Sequence, residues 1–334
     1  MAQETTAIPA VPPVVAEPEA RRRGTVIRGI WKFIRKKPLG AIGFAIVIFM
    51  VLLTIGPPKA EFGAPELPNR PLGFELGSPL MQRYEPEQVF YNERDRARIF
   101  EDPSSEHWLG TDKSGRDVWA RIVNGARQSL FVAVWALVIA TLVGGGIGVV
   151  SGYFGKWFDT VVQRLMDAIQ SFPPLIALIL IVTINPLTSG PNLMMLAFAL
   201  GLVGIPSVQR IVRSVVLATR EQQYVEAART IGATDIRTMR YYIIPNIMAS
   251  IIIVFSTGIG VVILAESALG FIAPDKLPTG GQSWGTELSV AYPVIVDHPL
   301  PGLSAAGAIA FAVLGFNLAG DALRDVLDPR LRLG

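Results

Sequence analysis

Few residues of this sequence are spaced for catalysis, and the near misses narrow the chemistry it can do. Gly155-Lys156 is the only Gly-Lys pair. A phosphate-binding loop needs G-x-x-x-x-G-K followed by Ser or Thr, so that backbone N–H groups cradle the phosphates and a hydroxyl reaches magnesium. Trp157 stands at that last position, so the chain has no such loop of its own for ATP. His107 and His298 are the only histidines and lie far apart, and no H-E-x-x-H puts two imidazoles on one helix face for zinc. Cysteine is absent, which excludes disulfides and thiol chemistry. Ser189-Gly190 follows Leu187-Thr188 and lacks the leading glycine of an intramembrane serine protease. Leu318-Ala319-Gly320-Asp321 lacks the glycine pair of an intramembrane aspartyl protease.

What remains is a set of polar side chains within or at the edges of apolar runs: Asp167, Gln170, Glu266, Ser267 and Asn317. Such groups are expensive in lipid and face a bundle interior or a water path. Two readings stand for each. They line a pore or its gates, or they make interhelical hydrogen bonds and snorkel at an interface. Gly144, Gly145, Gly146 and Gly148 read as helix-packing contacts.

The elements that must position these residues are membrane helices. The chain has 334 residues, is 51% hydrophobic, and is only 17% charged, below the roughly 25% usual for soluble domains. A bilayer core about 30 Å thick needs about 20 apolar residues in helix. Charge-free runs of that kind are Leu39–Gly56, Gln128–Gly155, Tyr241–Ala265 and Pro299–Gly320. Ala168–Gln209 is too long for one span, and Asn185-Pro186 with Ser189-Gly190-Pro191-Asn192 divides it into two helices, the first beginning near Phe158. The expected fold is an all-α integral membrane protein with about six transmembrane helices.

Topology follows from where the basic residues lie, since cytoplasmic loops carry an excess of Lys and Arg. Residues 1–20, rich in Ala, Pro, Val and Glu, read as a disordered tail without the shape of a secretory signal. Residues 21–37 carry eight basic residues and no acid, interleaved with apolar ones. They suit a surface helix on anionic lipid, or a basic flank that orients the next span; an apolar span follows at once, which disfavours nucleic acid. Both termini then fall in the cytoplasm, with a cytoplasmic tail at 321–334. The first span covers 38–56, an extracytoplasmic loop 57–127, and a five-helix core 128–320. Asp117–Arg127 reads as an amphipathic helix on the outer surface, whose Arg116, Arg121 and Arg127 sit awkwardly with the charge rule.

The most informative segment is the inside loop, 219–240. It reads Tyr224-Val225-Glu226-Ala227-Ala228-Arg229-Thr230-Ile231-Gly232-Ala233, with Pro245 downstream. Glu226 to Ile231 favours helix and Gly232 ends it. Ala227 and Ala228 let another surface approach the backbone closely, and Glu226 and Arg229 can anchor it by charge. That is the design of a short docking helix; the alternative is a plain loop helix.

Here the sequence resembles a known family. Glu-Ala-Ala, three residues, then Gly, with Pro245 beyond, is similar to the cytoplasmic signature loop of binding-protein-dependent ABC importer permeases. His107-Trp108-Leu109-Gly110-Thr111-Asp112, Gly115-Arg116-Asp117 and Gly125-Ala126-Arg127-Gln128-Ser129-Leu130 resemble the stretch before the core in dipeptide, oligopeptide and nickel permeases. Ser151-Gly152-Tyr153-Phe154-Gly155, Ser283-Trp284-Gly285 and Asn317-Leu318-Ala319-Gly320-Asp321 continue the match in order, over roughly residues 30–334. The arrangement resembles the second of the two paired permeases of peptide importers. Tyr241 and Tyr242 stand where relatives often carry His.

The resemblance implies a type I ABC importer permease architecture in a bacterial or archaeal cytoplasmic membrane, and no enzymatic activity in this chain. It implies four kinds of partner: a second permease, two P-loop ATPase subunits, an extracytoplasmic solute-binding protein and the lipid bilayer. No cofactor is expected on this chain; ATP and magnesium belong to the ATPase subunits. Peptides are the expected solute, moved inward by alternating access, with nickel chelates and other small solutes as alternatives. An ion-coupled secondary transporter is the second reading; such proteins are often built from inverted repeats and broken helices, and no convincing repeat is present.

Overall fold

The computed structural model describes residues 35, 37–54, 83–92, 94–184, 193–277 and 282–327. The expected tail at 1–20, most of the basic segment, the turn at 185–192, the loop residues 55–82 and the chain beyond Leu327 lie outside them. The described chain is helical: α1 (Pro38–Thr54), α2 (Val118–Phe154), α3 (Lys156–Gln170), α4 (Pro174–Ile184), α5 (Leu193–Arg220), α6 (Gln223–Thr230), α7 (Asp235–Thr238), α8 (Ile244–Ile272), α9 (Trp284–Ala291) and α10 (Pro299–Leu327). Four runs are long and apolar enough to cross a membrane: α2, α5, the continuous run Asp235–Ile272, and α10. Helices α3 and α4 form a fifth span if taken together, bent by 81°, and α1 is a shorter apolar helix of 17 residues. These are the six elements expected from the apolar runs.

Their bounds differ from expectation in three places. Helix α2 begins ten residues before the expected span, so Asp117–Arg127 is not a separate surface helix but the first turns of one 37-residue helix. Asp117 caps it, its carboxylate accepting from the Ala120 N–H at 2.7 Å. The third span is not straight. Ser171-Phe172-Pro173-Pro174 breaks it because proline lacks an N–H and clashes with the preceding turn; Pro174 then opens α4, where a missing N–H costs nothing. Helix α5 runs beyond the apolar run that ends at Gln209, so that Arg210, Arg213 and Arg220 all lie on it.

Helix α2 packs along α5 with almost no side chain between them. A Cβ on Gly144 would stand 2.7 Å from the Ile205 carbonyl oxygen, on Gly148 2.8 Å from that of Gln209, and on Gly152 3.0 Å from that of Arg213. Gly201 of α5 returns the contact, with a Cβ position 2.9 Å from the Ala136 carbonyl. Lipid tails are as apolar as leucine, so helix association in a bilayer depends on such close packing rather than on hydrophobic drive. The expected packing role thus falls on Gly144 and Gly148, while a Cβ on Gly146 would meet nothing within 4 Å. Buried Gln209 adds a polar tie, Nε2 donating to Ser151 Oγ at 3.1 Å. Helix α1 joins through α10 in the same manner, Gly43 against Ala319 and Gly315 against Ile46.

At the opposite end from α6, a polar cluster locks α2 to α9. Arg121 is buried, its Nε donating to Glu287 Oε2 at 2.7 Å and its Nη2 to Oε1 at 2.5 Å. Its Nη1 reaches Glu87 at 3.0 Å, and Arg116 pairs with Asp112 and Glu87. Burial works to raise the Glu87 carboxyl, but Arg121 and Arg116 prevail and hold it below its usual range. These carboxylates neutralise two of the three arginines that sat awkwardly with the charge rule, Arg116 and Arg121. Trp284 is buried beside them, its indole N–H donating to the Ile122 carbonyl at 2.9 Å.

The seam predicts an asymmetric response. Gly148→Leu should overpack it and cost about 1–3 kcal/mol, seen as a lower unfolding midpoint of the detergent-solubilised chain. Gly146→Leu, one face away, should leave that midpoint unchanged.

Candidate docking surface and polar helix face

Helix α6 ends where the sequence placed its end, and the hydrogen bonds explain why. Gly232 has φ +87°, a backbone region costly for side chains with a Cβ. Its N–H donates to the Arg229 carbonyl at 2.9 Å, and the Ala233 N–H to the Ala228 carbonyl at 3.0 Å. This pair of bonds is a Schellman cap, which satisfies carbonyls that would otherwise be orphaned. Thr234 then caps α7, its hydroxyl accepting from the Arg237 N–H.

One expectation about α6 is corrected. Ala227 faces outward, but Ala228 is only 3% exposed and faces inward with Val225. Adjacent helical residues point about 100° apart, and the docking of α6 turns one alanine outward and the other inward. Glu226 and Arg229 are exposed. The outward knobs are ones the sequence reading passed over: Ile231 is 81% exposed and Ile236 74%. Their signal was an isoleucine on each side of the turn glycine, where a solvated loop has no use for one.

The helix is tied to the bundle by one tyrosine. The Arg229 guanidinium lies over the Tyr153 ring, 4.9 Å from its centroid, and the Tyr153 hydroxyl donates to Asp235 at 2.6 Å. Arg220 donates to the Gly152 and Tyr153 carbonyls at the end of α2. Together these residues line an open groove between α2, α5, α6 and α7. Pro245 lies inside a helical run that starts at Asp235. Proline removes an N–H and crowds the carbonyl four residues back, and the run widens into a π-helical turn at Met239–Ile243 just before it. The Ile244 N–H reaches back to Met239, and Asn246 Nδ2 donates to the Tyr242 carbonyl at 2.6 Å.

The five intramembrane candidates separate. Glu266 is buried and accepts from Ser129 of α2 at 2.9 Å; Ser267 is buried, its carbonyl 2.2 Å from where a Gly285 Cβ would stand. These two join helices and do not line a surface of this chain. Asp167, Gln170 and Asn317 are exposed. Asn317 lies against α8, its Oδ1 3.3 Å from a Cβ position on Gly260. Asp167 accepts from Arg210 Nη2 at 2.7 Å, and Gln170 donates to Ser207 at 3.3 Å.

A neighbouring pair makes a useful contrast. Asp159 and Arg213 join the same two helices bidentately, Arg213 Nε donating at 2.5 Å and Nη2 donating to the other carboxylate oxygen. Their side chains are 12% and 28% exposed, against 54% and 42% for Asp167 and Arg210. An exposed single-contact pair contributes about 0–1 kcal/mol, whereas a bidentate pair of charge-assisted hydrogen bonds, better shielded from water, holds more firmly. Asp159–Arg213 is a fastener; Asp167–Arg210 opens easily. The partners Arg210, Arg213 and Ser207 were not singled out in the sequence, because nothing local shows which face of α5 meets α3.

A bundle of helices long and apolar enough to cross a membrane, with a short capped helix projecting from one end, defines a multi-pass membrane protein. Residues 144–333 match the family of binding-protein-dependent transport system inner membrane components. The dipeptide transport system permease protein DppC of Alkalihalophilus pseudofirmus is 33% identical over 308 residues, 91% of this chain and 90% of that one. The oligopeptide transport system permease protein OppC of Bacillus subtilis is 30% identical over 332 residues, 96% and 99% of the two chains. The glutathione transport system permease protein GsiD of Pectobacterium atrosepticum is 34% identical over 249 residues, 75% and 80%. The chain belongs to this family of permeases: it is a multi-pass inner membrane protein of a transport system, and not an enzyme.

The inward position of Ala228 sets a prediction for α6. Ala228→Trp should loosen the helix from the bundle and raise protease cleavage near residue 230, because overpacking a filled site costs about 1–3 kcal/mol. Ala227→Trp should leave cleavage unchanged.

Proposed function

We propose that this chain is a pore-forming subunit of an ATP-driven, binding-protein-dependent importer of small peptides. Its α6 end faces the cytoplasm and docks an ATPase subunit through Glu226, Ala227, Arg229 and the Ile231 and Ile236 knobs, with Gly232 shaping the turn. Ala228 supports that surface from within, and Pro245, exposed just past the π-helical turn, carries the run from α7 into the membrane helix. The observation that carries this reading is the construction of α6. A helix of eight residues is too short to hold its shape alone, yet here it is capped at one end and pinned to Tyr153, while large apolar side chains are left outside. A rigid lever with an apolar tip suits transmission of movement from a partner.

ATP and magnesium bind on two partner ATPase subunits, a second similar permease or another copy of this chain completes the pore, and a solute-binding protein delivers solute on the Arg121 side. Both termini lie in the cytoplasm. The peptide assignment is supported by relatives named for dipeptide, oligopeptide and glutathione transport.

The test uses the complete complex in proteoliposomes. Gly232→Val strains a positive-φ turn without a steric clash, since a Cβ there meets nothing within 4 Å; the strain is roughly 1 kcal/mol. Gly232→Val and Ala227→Trp should both assemble at normal levels and lose binding-protein-stimulated ATP hydrolysis, while Gln223→Ala keeps it. Normal stimulation in both variants rejects the docking role. Cysteine at Ser105 should react with an impermeant thiol reagent from outside and cysteine at Thr234 should not; the reverse pattern rejects the orientation.

A further inference from the structure

The circumference of α3 is divided into three stripes. Asp159, Val162 and Met166 are buried against the bundle. Trp157, Val161, Leu165 and Ile169 form an exposed apolar stripe, as a lipid-facing surface requires. Thr160, Arg164, Asp167 and Gln170 form an exposed polar stripe. At 3.6 residues per turn each set falls on its own side of the helix. Helix α5 presents a matching stripe of Ser207, Arg210 and Ser214, also exposed. The two polar stripes are joined at the Asp167–Arg210 pair and the Gln170–Ser207 hydrogen bond.

In the orientation proposed above, this surface lies toward the cytoplasmic end of helices long and apolar enough to cross a membrane. Arg210 is ten residues before the end of α5, about 15 Å along the helix axis, and the apolar stripe of α3 runs at the same level. Polar groups at that depth face water or a polar occupant, because lipid does not solvate them. The pair is also built to open, being exposed and held by a single contact, while the fastening between α3 and α5 is carried by Asp159–Arg213, about one turn away on α5 and two on α3. A carboxylate and a guanidinium that separate leave one site for a cation beside one site for an anion.

We propose that the α3–α5 polar stripe is a wall of the water-filled solute path, and that Asp167 and Arg210 form a binding station for a small zwitterion, Asp167 taking the ammonium and Arg210 the carboxylate. This rests on the importer reading and adds a site and a ligand class to it. The station relies on easy exchange: the solute replaces one weak ion pair with two, and the pair re-forms when it leaves.

The test is cysteine protection in the complete complex, in membranes, reagent being added from the ATPase side. The chain has no cysteine of its own. Ser207→Cys and Ser214→Cys should react with a water-soluble thiosulfonate, and Leu165→Cys should not. Alanyl-alanine should protect Ser207→Cys, while its N-acetyl, C-amide form should not. Asp167→Asn or Arg210→Gln should each raise the dipeptide concentration for half-protection by up to about fivefold, the loss of one exposed charged contact. Protection that is absent, or equal for the zwitterion and its blocked form, overturns the station. Stripe cysteines as unreactive as Leu165→Cys overturn the water path. Binding-protein-stimulated ATP hydrolysis in the same preparation reports on the importer reading separately, so failure of one is distinguishable from failure of the other.

Discussion

The approach of α2 to α5 backbone against backbone is the contact on which the rest of the bundle depends. Gly144, Gly148 and Gly152 recur every four residues and face Ile205, Gln209 and Arg213, which keep the same interval. Two helices held that closely share a direction over some three turns. The consequences lie at both ends. At one, the end of α2 comes under Arg220, and Tyr153 comes to where Arg229 and Asp235 can use it. At the other, the first turns of α2 carry Arg121 into the carboxylates of Glu287 and Glu87. Water supplies no hydrophobic force between helices in a bilayer, so dispersion at the seam and the polar tie of Gln209 to Ser151 take its place.

The arginines of the bundle divide by how firmly their charge is answered. Arg121 is buried with two carboxylates and fastens α9 over the top of α2. Arg213 is answered bidentately by Asp159 and fastens α3 to α5. Arg210, one turn away, is answered by a single exposed contact. The same chemical pairing therefore serves two purposes, and burial decides which. A pair shut away from water is costly to break, whereas one left in water is worth little and exchanges readily.

Prolines set the shapes that regular helices could not. Pro173 and Pro174 turn the third span through 81°, which directs the α3 polar stripe along α5 instead of burying it in a straight span. Pro245 acts differently. Its missing N–H is absorbed by a π-helical turn, so α7 and α8 stay one continuous run. A movement at the α6 end would thus pass into a membrane helix without a flexible joint.

The apolar helices, their approximate positions and the end of α6 at Gly232 were determined by the sequence alone, because each depends on local composition: apolar run length, and a glycine where φ must be positive. The packing role of Gly144 and Gly148 was legible for the same reason, as small residues at helical spacing. Other properties belonged to the tertiary structure. Ala227 and Ala228 are identical in sequence, yet one is outside and one inside, since only the docking of α6 on the bundle fixes its rotation. Glu266 and Asp167 were equivalent intramembrane acids; Ser129, far away in the chain, draws one into the core, and the bend at Pro173 leaves the other on the surface. Whether a charge is a fastener or a contact surface depends on which helix packs over it, and that is set by backbone approach across residues dozens of positions apart.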